Sequence, residues 1–227
     1  MPPAYIQNQP TGAKVLESKF QLGGKGALPD TLQPPELGFV LDRSASMSSL
    51  INEAVTGFNT LVDEQRTVAP PANFSLSLFN YGIKLLYDAI PLPEVPPLTA
   101  ALYEPDGGTA LNDAIGSMIQ GIGKRAKRST RVLIAILTDG AENSSRQFSQ
   151  ADILQMVTYR RTTYDWQFIF IGPQDAVPYA LSIGIPKSNV VSFDADPAGI
   201  RLILDRLSKS MRAYQLGDRR YMLKLTQ

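Results

Sequence analysis

The sequence contains neither cysteine nor histidine. Without cysteine there are no disulfide bonds and no thiolate ligands for a metal ion. Without histidine the chain lacks the usual general base of hydrolytic triads and the commonest side-chain ligand of zinc, copper and iron. Any metal ion bound by this chain would therefore be held by oxygen atoms.

A charge imbalance and long apolar runs are also missing. Lys and Arg total 22 against 21 Asp and Glu, so we expect no nucleic acid and no membrane surface as a partner. No apolar run approaches the roughly 18 residues of a membrane-spanning helix, and MPPAYIQNQP (1–10) lacks the basic start and apolar stretch of a signal peptide. We therefore expect a cytoplasmic protein. The basic cluster GKRAKRSTR (123–131) is expected to complement the negative C-terminal end of a preceding helix.

Short apolar runs indicate the fold class. LGFVLD (37–42), RVLIAILTDG (131–140), WQFIFIGP (166–173) and NVVSFDAD (189–196) are bounded by acids, glycine or proline, which is typical of buried parallel strands. The alternating segment NFSLSLFNYGIKLLYDAI (73–90) predicts a hairpin at one side of the sheet. We predict a doubly wound α/β fold, with a mostly parallel six-stranded sheet of order 3-2-1-4-5-6, one antiparallel edge strand and flanking helices.

Two helices between these runs are indicated by apolar residues that recur on one face. The first face comprises Leu50, Ala54, Phe58, Leu61 and Val62, and the second comprises Leu111, Ile115, Met118 and Ile122.

Proline and glycine mark three regions outside this core. Residues 1–35 read as an arm or linker, with a short strand as the alternative, and residues 215–227 read as a tail that alternates like a strand. One hypothesis is that these two terminal segments pair as a β-ribbon. Residues 36–214 then form the main domain. The proline-rich segment 88–108 is expected to be a plain surface loop.

The polar residues at the strand ends point to a cation site. In the predicted strand order, strands 1 and 4 are neighbours and end on Asp42 and Asp139, on either side of the crevice where such sheets bind ligands. Asp42, Ser44 and Ser46 form a D-x-S-x-S pattern, and two glycines place Thr109 at the entrance to a helix. Hydroxyls and carboxylates are the hard oxygen donors that Mg²⁺, Mn²⁺ and Ca²⁺ select.

Each of these motifs also has an ordinary structural interpretation. Ser46 or Ser48 would serve as the cap of the helix that begins near Leu50, and Thr109 as the cap of the next helix. A lone T-D-G is most often a turn. Asp113 lies near the start of its helix, where an acidic side chain interacts favourably with the helix dipole. We interpret it first as a structural residue and second as a residue that contacts a metal ligand without contacting the metal itself.

Taken together, DRSAS, GGTALNDA and ILTDG, in that order, resemble the metal-ion-dependent adhesion site of von Willebrand factor type A domains. DRSASM, TDGAENSSR and WQFIFIG are most similar to the stand-alone bacterial and phage type. The resemblance implies that the metal ligands are Asp42, Ser44, Ser46, Thr109 and Asp139, with Mg²⁺ as cofactor and Mn²⁺ or Ca²⁺ as alternatives. It also implies that an acidic residue of a partner protein, whose identity the sequence does not give, completes the coordination.

One departure from the family pattern lies between the two serines. Many members have glycine there, whereas this chain has Ala45. Alanine would be strained if the loop required a positive φ at this position.

We therefore expect a non-enzymatic protein-binding module, serving as an assembly or regulatory factor. Arg43, Glu142 and Asn143 flank the expected ion and are candidates for the rim that contacts the partner. One alternative is a Mg²⁺-dependent phosphatase or phosphotransferase with an aspartate nucleophile, but such enzymes need a second acid two residues on, where this chain has Ser44. A second alternative is a structural protein whose cation only stabilises the loops.

Overall fold

The structure is a computed structural model that describes residues 33–218. The hypothesis of a β-ribbon formed by the two terminal segments lies outside the described residues. No helix within residues 33–218 combines the length and apolar character needed to cross a bilayer.

The centre of the molecule is a six-stranded sheet of order β3-β2-β1-β4-β5-β6. Only the β2–β3 pair is antiparallel, and the other neighbours are parallel. This confirms the predicted fold class, strand order and antiparallel edge hairpin. The strands are β1 (Glu36–Asp42), β2 (Asn73–Phe79), β3 (Ile83–Pro91), β4 (Val132–Leu137), β5 (Gln167–Gly172) and β6 (Val190–Ser192).

Within residues 33–218, five α-helices cover the two faces of the sheet. Helices α1 and α5 pack into one apolar cluster, whereas α2, α3 and α4 pack into the other. The apolar faces expected for the first two helices are buried, as predicted. The helices are α1 (Ile51–Arg66), α2 (Leu111–Arg125), α3 (Gln150–Tyr164), α4 (Val177–Ser182) and α5 (Pro197–Gln215).

The position of β1 explains why the strand ends meet. All seven residues of β1 are buried, and Leu41 pairs with Leu78 of β2 on one side and Leu137 of β4 on the other. The chain then turns towards α1 on one face of the sheet after β1, and towards α3 on the opposite face after β4. Asp42 and Asp139 are therefore at the point where the two connections diverge and leave a crevice.

The proline-rich segment is more than a plain surface loop, and that prediction was wrong. It anchors four side chains in the core beneath α1, namely Leu92, Val95, Leu98 and Tyr103. Apolar residues spaced by irregular intervals carry no helix or strand period, which is why the sequence pattern did not indicate this packing.

Candidate metal centre

Asp42 is the most deeply buried of the candidate ligands. Its side chain has no exposed surface. One carboxylate oxygen accepts a hydrogen bond from the backbone N–H of Ser44 at 2.6 Å, and the other accepts one from the Thr138 hydroxyl at 2.5 Å. Burial raises the pKa of Asp42 from 3.8 to about 6, although these two hydrogen bonds act in the opposite direction.

A row of hydroxyls connects the two acids. The Ser44 and Ser46 hydroxyl oxygens lie 3.1 Å apart, and the Ser46 hydroxyl donates to Asp139 Oδ1 at 2.7 Å. Burial also raises the pKa of Asp139, and the Ser46 hydrogen bond opposes that effect. Ser44 is buried but Ser46 is exposed, so the row leads from the sheet to solvent.

Thr109 joins this group from a third loop. A Cβ atom added to Gly140 would lie 3.2 Å from Thr109 Oγ1 and 3.8 Å from Ser46 Oγ, which places both hydroxyls beside the backbone that follows Asp139. The Thr109 N–H donates to Asn143 Oδ1 at 2.9 Å, and the Thr109 carbonyl accepts from the Asn143 N–H at 3.0 Å. The structure therefore brings all five predicted ligands to one edge of the sheet.

Backbone hydrogen bonds fix the first loop against the third. The Ala45 N–H donates to the Gly107 carbonyl at 3.1 Å, and the Asp106 N–H donates to the Arg43 carbonyl at 3.0 Å. Among the described residues other than glycine, only Ala89 and Asp165 have positive φ. Ala45 is therefore not in the left-handed region, and its replacement of the family's glycine brings no strain there.

The helix-cap interpretation does not fit the serines or the threonine. Leu50 occupies the N-cap position of α1 and Ala110 that of α2, and neither N-cap residue makes a side-chain capping hydrogen bond. The Ser48 hydroxyl instead donates to the Ala45 carbonyl at 2.6 Å. The Ser46 hydroxyl is thus directed to Asp139, and the Thr109 hydroxyl lies beside Gly140, so neither caps a helix.

The donor set suits a small divalent cation. Oxygens at adjacent corners of a Mg²⁺ octahedron lie about 3 Å apart, given a metal–oxygen distance of about 2.1 Å. The oxygen pairs Ser44–Ser46 and Ser46–Asp139 are separated by 3.1 and 2.7 Å. Within residues 33–218, no three carboxylate side chains cluster as a metal cage, so a cation here would rest on two carboxylates and several neutral hydroxyls.

Two of the three predicted rim residues hold the loops together. The Glu142 carboxylate accepts from the backbone N–H groups of Asn112, Ser144 and Ser145 at 2.8 to 3.0 Å and also from the Ser145 hydroxyl. It thereby caps the N-terminus of α2 from a loop 30 residues away. Asn143, as described above, bonds the loop of Thr109. Arg43 is half-buried and its guanidinium lies 3.5 Å from the carbonyl oxygen of Glu104.

Asp113 has a similar bracing role. Its carboxylate accepts from three successive backbone N–H groups, those of Arg146, Gln147 and Phe148, at 2.8 to 2.9 Å. None of these bonds within the described chain involves a predicted metal ligand. The geometry therefore supports the first of the two interpretations of Asp113, the structural one.

Sequence reasoning missed two residues that position Asp42. Thr138 donates to the Asp42 carboxylate, and the buried Tyr103 hydroxyl donates to the Asp42 carbonyl at 2.5 Å. Thr138 lies within the T-D-G motif, so its position directly before Asp139 was an available signal. Tyr103 comes from the proline-rich segment and had no such signal.

No protein-family model matches the sequence, and no curated protein matches it. Solved structures do match. A von Willebrand factor type A protein from Catenulispora acidiphila superposes with a TM-score of 0.57 at 16% identity, over 82% of this chain and 43% of that one. The PilB minor pilin from Streptococcus sanguinis superposes with a TM-score of 0.62 at 12% identity, over 81% of this chain and 62% of that one.

A third structure is proximal thread matrix protein 1 from the mussel byssus, with a zinc-occupied metal-ion-dependent adhesion site. It gives a TM-score of 0.57 at 14% identity, over 79% of this chain and 46% of that one. This chain thus spans less than two thirds of the length of each of the three. At such identities the likeness concerns the fold alone, and the described residues have the fold of von Willebrand factor type A domains.

Proposed function

We propose that this chain is a non-enzymatic binding module that captures an acidic residue of a partner protein through a divalent cation. The ligands would be Asp42, Ser44, Ser46, Thr109 and Asp139, with Mg²⁺ as the expected ion. The observation that carries the proposal is the row of hydroxyls between the buried Asp42 and the half-buried Asp139, which opens to solvent at Ser46.

The charge of this donor set favours capture of an anion. Two carboxylates balance the two positive charges of the ion, and the three hydroxyls add none. A cation supported in this way remains able to attract a further carboxylate, and Mg²⁺ keeps exchangeable water where the protein offers no ligand. Ser44 and Ser46 therefore bind the ion without saturating it, which leaves a position for an Asp or Glu of the partner.

The fold neighbours are consistent with this proposal. The mussel protein has a zinc-occupied site of the same class, and PilB is a minor pilin. We carry from them only the expectation of metal-dependent adhesion, and we propose a cytoplasmic role in assembly or regulation. The phosphatase alternative is disfavoured because Ser44, whose hydroxyl faces Ser46, occupies the position where such enzymes place a general acid.

The proposal is tested by metal titration and partner capture with matched variants. Ser46→Ala removes a proposed ligand, whereas Ser48→Ala removes an exposed hydroxyl two residues away that bonds only the local backbone. We expect calorimetry to show Mg²⁺ binding for the wild type and Ser48→Ala, and a loss of at least tenfold in affinity for Ser46→Ala and Asp42→Ala.

Capture is then measured with a partner identified from native lysate, with Mg²⁺ and with chelator. Loss of capture in chelator and in the folded Asp42→Ala protein supports the proposal. If capture persists in both while the melting temperature falls, the cation is structural. Hydrolysis of p-nitrophenyl phosphate that depends on Mg²⁺ and Asp42 would instead support the phosphatase.

A further inference from the structure

A cavity of about 230 Å³ opens directly beside the candidate metal centre. It shares Asp139 and Gly140 with that centre and extends towards Asp175 and Tyr179, which lie beyond the end of β5. Pockets for whole small molecules are usually about 300 to 1,000 Å³. This cavity is smaller, and its size suits one long side chain of a bound protein.

The walls of the cavity combine an apolar body with negative charge. Tyr179 and Ala176 supply apolar surface, and Glu142 and Asp175 supply carboxylates. No lysine or arginine of the described chain lines it. The negative charge of Glu142 reaches Tyr179, because that charge adds to burial in raising the pKa of the Tyr179 hydroxyl.

A bound cation does not neutralise this cavity. Its two positive charges are balanced by Asp42 and Asp139, so the charges of Glu142 and Asp175 remain. Glu142 is held by hydrogen-bond donors that carry no net charge. Asp175 is exposed, and the described residues give its carboxylate no hydrogen bond or ion pair.

We propose that this cavity is a specificity pocket that receives a lysine or arginine side chain of the captured partner, next to the acidic residue on the metal. The inference rests on the proposed function, because it uses the metal-bound acid as the anchor. An aliphatic stem packs on Tyr179 and Ala176, and its charged head reaches Asp175. The recognised element is thus a zwitterionic pair, an acid and a base at a fixed spacing.

The test uses a random peptide library displayed on phage, selected on the Mg²⁺-loaded protein and eluted with chelator. For the wild type we expect enrichment of Asp or Glu together with Lys or Arg at a constant spacing. Peptides selected on Asp175→Asn should still be enriched in the acidic residue, but their enrichment in the basic residue should fall by up to about fivefold, as for a partly exposed ion pair. Asp175→Lys should remove the preference for a base altogether.

The control variant is Glu94→Gln. It changes the net charge by the same amount as Asp175→Asn, but Glu94 is exposed in the turn after the edge strand β3, whereas the cavity lies past β4 and β5. Its selected peptides should match those of the wild type. Two outcomes would contradict the specificity pocket but not metal capture. In the first, peptides selected on the wild type contain an acidic residue but no preferred basic residue. In the second, peptides selected on Asp175→Lys still show the preference for a basic residue. If chelator elutes no enriched peptide at all, metal capture itself fails and the pocket inference falls with it.

Discussion

Replacing Asp42 by Asn should stabilise the metal-free protein and abolish its response to Mg²⁺. The Asp42 carboxylate is fully buried, and its pKa rises from 3.8 to about 6, chiefly because burial disfavours the charged form. The pKa of Asp42 is higher in the folded protein than in the unfolded chain. The contribution of the protonated Asp42 to the free energy of unfolding is therefore fully present below about pH 4 and is lost as the pH rises through about 6. At neutral pH the metal-free protein is therefore destabilised by this one charge.

The magnitude follows from the two pKa values of Asp42. A difference of about two pH units corresponds to about 3 kcal/mol. Asparagine has nearly the same shape and carries no charge. Its Oδ1 can accept from Ser44, and its amide can donate to Thr138, whose hydroxyl then donates to the Gly140 carbonyl that lies 3.0 Å away. Because the hydrogen bonds are kept, removal of the charge should raise the free energy of unfolding by most of this amount.

The assay is thermal unfolding in chelator at pH 4.5 and pH 7.5, and again with saturating Mg²⁺ at pH 7.5. For a domain of this size, about 3 kcal/mol corresponds to roughly 6 to 12 °C in melting temperature. We expect Asp42→Asn to exceed the wild type by that margin in chelator at pH 7.5, and by much less at pH 4.5. Mg²⁺ at 100 times its dissociation constant should return about 2.7 kcal/mol to the wild type and nothing to the variant.

The control is Glu94→Gln, which removes an exposed charge and should behave as the wild type in all three conditions. If Asp42→Asn melts at a lower temperature than the wild type in chelator at pH 7.5, the buried charge of Asp42 does not destabilise the metal-free protein. The reasoning that a cation is needed to offset it would then be refuted.

Three further substitutions test the supports of the site. Thr138→Val keeps the shape but removes the hydroxyl that donates to Asp42, so calorimetry should show Mg²⁺ affinity reduced about tenfold or more; unchanged affinity would contradict this role. Tyr103→Phe leaves a buried carbonyl without its donor and should lower the free energy of unfolding in urea by about 1 to 2 kcal/mol, whereas no change would show that water replaces the hydroxyl. Gly108→Ala should lower both melting temperature and metal affinity, because the added Cβ meets side chains of the next loop, while Gly121→Ala, with open space at its Cβ, should lower neither.

The fold was predictable because its central strands β1, β4 and β5 are buried on both faces. Strands of this kind appear in the sequence as short apolar runs, and the doubly wound order then places the ends of β1 and β4 side by side. Helix α3 was not indicated by such patterns, since it buries only Ile153 and Val157 and has almost no apolar stripe. Its start depends instead on a capping box at Ser149 and Asp152, a local signal that the apolar period does not carry.

The candidate ligands were predictable, but the roles of their neighbours were not. Ser44, Ser46 and Thr109 follow strand ends or glycine turns at short sequence intervals, so local reasoning finds them. Glu142 instead caps a helix that begins 31 residues earlier, at Leu111. From sequence, an acid beside a metal motif is indistinguishable from one that serves a distant helix terminus, because the hydrogen-bond partner is fixed only by the tertiary fold.

The cavity could not be predicted from the sequence either, because its walls come from segments that only the tertiary fold brings together. The residues proposed to bind the metal are therefore different from those proposed to select the partner. The proposed ligands lie at the end of β1, directly after β4 and in the loop before α2, where the sheet topology fixes them. The wall formed by Asp175 and Ala176 comes from the turn before α4, more than 30 residues further along the chain, and supplies none of the proposed metal ligands. A module built in this way can keep one means of anchoring an acid and change partners through residues such as Asp175, because specificity is a difference in affinity between competing ligands. Exchanging Asp175 should therefore alter which peptides are selected while the Mg²⁺ affinity measured by calorimetry stays within about twofold of the wild type, as expected for an exposed charge screened by water and salt.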